Sequence, residues 1–135
     1  MDLVDALHIS AAGMRVQGVR LRVIAENLAN ADSLGTVAGA EPYRRKVVSF
    51  RTALERSLGI RTVQVDRIGT DRGAFETRFD PSNPAADASG YVMLPNVNPL
   101  IEMTDMREAE RSYEANLKVI EASRTMLQKT VDLLR

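Results

Sequence analysis

Few residues in this chain have the types and spacing that chemistry requires. The single histidine, His8, has Asp5 and Ser10 as sequence neighbours. Along a helix these three lie on differing faces, so they do not assemble a base, an orienting acid and a nucleophile. Glu102, Asp105, Glu108 and Glu110 crowd acids together, but without the alternating aspartates and turn glycine of a calcium loop. Gly35, Gly39, Gly69 and Gly73 compose neither a phosphate loop nor a dinucleotide fingerprint. The chain has no cysteine, which removes thiolate catalysis, disulfides and cysteine-ligated metals. The residues therefore point away from an enzyme, and from any metal, cofactor or small-molecule substrate.

Charge narrows the field further. Lysine plus arginine number 18 and aspartate plus glutamate 18, for a net charge of zero. A protein built to grip nucleic acid is usually basic, so no nucleic-acid partner is expected. The densest basic patch is Arg44, Arg45 and Lys46, with Arg51 beyond it and Tyr43 and Phe50 flanking. Subunit contact is the functional reading of that patch; a solvated strand face is the plain one. Three asparagines, Asn27 and Asn30 in AENLAN and Asn116 in SYEANL, interrupt helical patterns. They are either exposed polar positions or amides that set register between helices, since asparagine inside a helix is otherwise mildly unfavourable.

The elements that carry these residues fall into three segments. Residues 1–34 hold a heptad: Leu7, Met14, Leu21 and Leu28, interleaved with Leu3, Ser10, Gln17 and Ile24. Asp2 is the expected N-cap, with Asp5 facing the positive end of the helix dipole. Gly13 and Gly18 weaken this helix by about 1 kcal/mol each relative to alanine. Residues 100–135 lack glycine and proline and repeat the pattern: Met106, Tyr113, Ile120, Leu127 and Leu134, with Leu117 and Val131 beside them. The matching positions Ala109, Asn116, Ser123 and Thr130 are small or polar. Between the helices, residues 35–99 form a small β-rich insert. Strands are expected at Tyr43–Phe50, Ile60–Ile68, Ala74–Phe79 and Tyr91–Leu94. The fold class is thus mainly α, with long terminal helices expected to pack as a coiled coil and an irregular β element between them. Seams at both ends exceed what so small a middle can cover, which marks an interaction surface. No apolar run approaches the roughly 20 residues of a membrane helix. MDLVDALHIS carries acids where a secretory signal carries bases, so any export is expected to leave this N-terminus intact.

The segment ALHISAAGMRVQGVRLRVIAENLANADS resembles the N-terminus of bacterial flagellar basal-body rod proteins, whose heptad helix ends in an ENLANA-type motif. PYRRKVVSF follows at the family's expected position. GYV, PNVN, an EM pair and YEAN, in that order within 90–117, are similar to the FlgC-type proximal rod subunits in particular. Ser33 stands where threonine is commoner, and residues 51–79 match only loosely. A soluble helical adaptor using the same seams for another partner is the alternative, but it has no reason to carry both ENLANA and YEAN.

What the resemblance implies is a structural subunit of the periplasmic rod, which transmits torque from motor to hook. Such a subunit is made in the cytoplasm and exported uncleaved through the flagellar type III apparatus. Its partners would be copies of itself, other rod proteins and the export apparatus, with the membrane-embedded ring a further candidate. By position, Leu7, Met14, Leu21, Ile24 and Leu28 would pack against Met106, Tyr113, Leu117, Ile120 and Leu127. Asn27, Asn30 and Asn116 would make polar contacts within or between subunits, and the insert would lie on the outer surface.

Overall fold

The computed structural model describes residues 2–135. Helix α1 (Leu3–Ala29) and helix α2 (Pro99–Leu133) enclose four strands: β1 (Lys46–Glu55), β2 (Ile60–Thr70), β3 (Glu76–Phe79) and β4 (Tyr91–Leu94). The order helix, β insert, helix is the expected one, but the insert is two separate two-stranded sheets, β1–β2 and β3–β4.

Local chemistry sets the boundaries. At the start of α1, Asp2 Oδ1 accepts from the Asp5 amide at 2.8 Å, and Asp5 Oδ2 accepts from the Asp2 amide at 3.1 Å. This reciprocal cap satisfies amides that have no partner inside the helix. Pro99 opens α2, where its missing amide costs nothing, and Asn98 Oδ1 accepts from the Leu100 amide at 3.1 Å. Strand β1 begins at Lys46 rather than Tyr43, because two of the amides ahead of it bond elsewhere. The Tyr43 amide donates to the Ser33 carbonyl, and the Arg45 amide to Asn96 Oδ1. In the second sheet Phe79 pairs with Tyr91 and Glu76 with Leu94, antiparallel. Gly90 precedes β4 with φ 84°, and a Cβ there would come within 2.9 Å of the Phe79 ring. Glycine is required at that position on both counts.

Contacts divide the chain into two units, each drawing on both helices and on the insert. One unit comprises the chain up to Leu21, Val48–Arg67 and Arg107–Arg135; the other comprises Arg22–Val47 and Ile68–Met106.

In the first unit the two helix segments run antiparallel. Leu3 shares a groove with Leu127, Gly13 meets Asn116, and Arg20 reaches Glu108 at 3.5 Å. The approach at Gly13 is close, since a Cβ there would lie 2.8 Å from Asn116 Nδ2. Asn116 Nδ2 also donates to the Ser112 carbonyl, which fixes the amide against the glycine. The buried side chains of this unit are mostly small: Ser10, Ala12, Val16, Thr62, Ala109 and Ser123. In the second unit, Val23, Ile24, Ala85 and Val92 form the apolar core beside buried Asn27 and Glu102.

Gly13→Val is therefore expected to lower the stability of the purified chain by about 1–3 kcal/mol in urea unfolding, as overpacking does. Unchanged stability would contradict the close approach of Gly13 to Asn116.

Candidate functional site

The surface of α2 is where this molecule has most left to do. Of its 35 residues only Glu102, Ala109 and Ser123 are buried. Meanwhile Leu117, Val119, Met126, Val131, Leu133 and Leu134 are exposed, the last two by more than 80%. At the other end of the helix, Leu100 is 73% exposed, with Ile101 and Met103 half open. Scattered apolar side chains are ordinary on a surface; a helix that places most of its large ones outside is not.

The expected packing residues fall into three groups. Ile24 is buried. Leu7, Met14, Leu21, Leu28, Met106, Tyr113, Ile120 and Leu127 are half-buried. Leu117 and Leu134 are exposed. The positions most fully covered on α2 are the small and polar ones in the heptad row Glu102, Ala109 and Ser123. A small side chain is covered wherever backbones approach closely, whereas a large one beside it reaches past the contact.

The asparagines also separate. Asn27 is the best connected residue of the second unit, and all of its polar capacity is used. Its Oδ1 accepts from the Tyr43 hydroxyl at 2.8 Å and from the Lys46 amide at 2.9 Å. Its Nδ2 donates to the Lys46 carbonyl at 2.9 Å and to Glu102 Oε2 at 3.2 Å. One amide thus joins α1, the strand entry and α2 within this unit. Asn30 ends α1 instead, donating to the Glu26 carbonyl and accepting from the Ser33 hydroxyl. Asn116 fills the space over Gly13.

Around Asn27 the charges form a network that the separate sequence clusters did not reveal. Glu102 is fully buried and its Oε1 accepts from Arg45 Nε. Arg45 also lies 3.6 Å from both Asp71 and Asp105. Burial alone would make the guanidinium easier to deprotonate. The Glu102 hydrogen bond and the Glu102, Asp71 and Asp105 charges together outweigh that, raising its pKa above the ordinary arginine value. The Tyr43 pKa is raised as well, first by burial and then by the nearby charges of Glu26 and Glu102. Lys46 pairs with Glu26. Arg44 donates to the carbonyls of Asp71 and Gly73 and lies 4.2 Å over the Phe75 ring. All three residues of the basic patch thus have partners inside this unit. Glu102 and Asp105 face Arg45, and Glu108 faces Arg20. Among the described residues, no group of three histidine, cysteine or acidic side chains converges on a metal position. His8 is exposed. No helix among them is long and apolar enough to cross a membrane.

Arg45→Met would leave Glu102 buried without its cation, and is expected to cost about 3–5 kcal/mol in urea unfolding. Glu102→Gln keeps an acceptor and leaves Arg45 two other carboxylates, so it is expected to cost distinctly less. Equal, small losses from both would show that the pair does not organise this unit.

Comparisons with known proteins show the family. Residues 88–133 match the family described as flagellar basal body rod FlgEFG protein C-terminal. The flagellar basal-body rod protein FlgC of Agrobacterium fabrum is 52% identical over 130 residues, spanning 96% of this chain and 94% of that protein. The FlgC protein of Yersinia enterocolitica is 38% identical over 98% of both chains. That of Bacillus subtilis is 37% identical over 98% of this chain and 99% of its own. These matches span nearly the whole chain, both helices and the insert included, and the chain belongs to the flagellar basal-body rod protein FlgC family.

Proposed function

We propose that the chain is a structural, non-enzymatic subunit of the proximal part of the flagellar rod, and that its two helices pack against those of neighbouring subunits. It would reach the periplasm through the flagellar type III apparatus, uncleaved, and join copies of itself and other rod proteins in the shaft that carries torque from motor to hook. In this reading the terminal helices form coiled-coil contacts in the inner tube, and the insert faces outward toward neighbours and the surrounding ring.

The observation that carries the proposal is the number of large apolar side chains exposed on α2. Fully burying one such side chain contributes roughly 1.5–3 kcal/mol. Association costs several times that in lost translational and rotational freedom alone, so no single contact holds a subunit in place. Many contacts made at once can do so, and the helices then draw part of their stability from their neighbours. A shaft under torque suits this arrangement, because load passes through many shared interfaces rather than one joint.

Leu117 and Ile120 test the proposal from two sides. Leu117 is exposed, so Leu117→Asp is expected to leave the purified chain folded, with its helix content unchanged. Ile120→Asp places a charge at a half-buried seam position. Both variants are expected to be exported yet to fail to enter basal bodies, leaving cells without swimming halos. Normal halos and normal rod numbers with both would contradict the assigned helix surfaces.

A further inference from the structure

Helix α1 has two interior glycines, and contacts inside the chain account for only one. Gly13 is needed because Asn116 lies against it. At Gly18 a Cβ would meet nothing within 4 Å, although glycine here costs about 1 kcal/mol relative to alanine. Five residues further along, Gly18 points about 140° around the helix from Gly13. With Ala11, Met14 and Arg15 it completes an i, i+3, i+4, i+7 diamond, the hole that receives a knob side chain from a packing helix. These residues and Tyr113 line an open groove of about 410 Å³.

The same chain carries matching knobs. Val119, Met126 and Leu133 recur every seven residues on α2, with Ala115 and Ala122 at the intervening steps of four and three, and all five are exposed. Lys129 takes the next such step. Val119 and Met126 stand four residues before and three after the buried Ser123, so this exposed seam runs along one edge of the small and polar row that α2 turns inward.

We propose that the Val119–Met126–Leu133 seam of one copy seats in the Gly18 groove of a neighbouring copy. The inference rests on the rod reading and names the contact that reading needs. The seam is five side chains, far fewer than the roughly 20–30 residues and 800 Å² per partner of a stable two-protein interface. It is therefore too small to dimerise the free chain, and holds only where each copy makes further contacts in an array. Groove and seam are different surfaces of one chain, so the contact is head-to-tail and propagates instead of closing on itself.

The chain has no cysteine, which permits a clean cross-linking test. Gly18→Cys and Met126→Cys variants, carrying tags of different size, would be produced together in cells lacking the parent copy, with Val119→Cys as a second seam position. Oxidised basal bodies are expected to yield a dimer containing one of each variant, while the purified monomers yield none. Gly18→Leu is expected to fold with at least the parent's helix content yet to lose rod assembly. Normal rods built from Gly18→Leu would overturn the proposal. So would cross-linking of Gly18→Cys only to another rod protein, or to neither seam position. If the parent chain itself were absent from purified basal bodies, the rod reading would fail first, independently of either cysteine variant.

Discussion

Helix α2 is 35 residues long and buries three of them, Glu102, Ala109 and Ser123, at multiples of seven. The rest of the molecule follows from that constraint. A helix covered only along its small and polar row lets a neighbouring backbone come close, as Gly13 does to Asn116. It also leaves its large side chains facing away. Leu117, Val119, Met126 and Leu133 are thus surface that the fold exposes and does not use. In an enzyme of this size they would form the core. Here the core is thin and aromatics make up 4% of the chain, and the proposal assigns the uncovered apolar area to contacts between subunits.

The second unit solves a different problem. Its polar centre ties three sequence-distant pieces together through Asn27, Glu102 and Arg45, with Tyr43 and Lys46 completing the bonds. A buried ion pair is weak evidence for net stability, because desolvation offsets most of its attraction. Its value lies in selectivity: a one-residue slip of either helix would strand Glu102 or Asn27 without partners. In the proposed rod, such fixed register matters more than extra stability. This unit supplies it from inside the chain.

Much of this architecture was legible in the amino acids. The Asp2 and Asp5 cap, the helices without an internal proline and the alternation of Ile60–Ile68 each rest on local chemistry, and local chemistry survives folding. The strand read from Tyr43 instead begins at Lys46, because the Tyr43 and Arg45 amides are claimed by Ser33 and Asn96. Nothing nearby in sequence announces those partners. The hub was hidden for the same reason. Glu102 reads as one acid among several and Arg45 as one base among several; only a fold that closes 57 positions joins them. Its place inside a helical pattern singles out Asn27, but its four bonds depend on Tyr43, Lys46 and Glu102 arriving together. Hydrophobicity also favours the large residues of each heptad as the seam, whereas the most complete burial falls on the small row beside them.

The account's central claim is that α2 draws stability from outside its own chain. Amide hydrogen exchange on the purified chain and on isolated basal bodies tests it most directly. The account predicts that 22–47 and 68–106 exchange slowly in both samples, held by the Asn27 and Glu102 centre. It predicts that 107–135 exchanges quickly in the free chain and slowly once assembled. Slow exchange of 107–135 in the free chain would mean that the helix satisfies itself internally, and the exposed rows would then need another explanation.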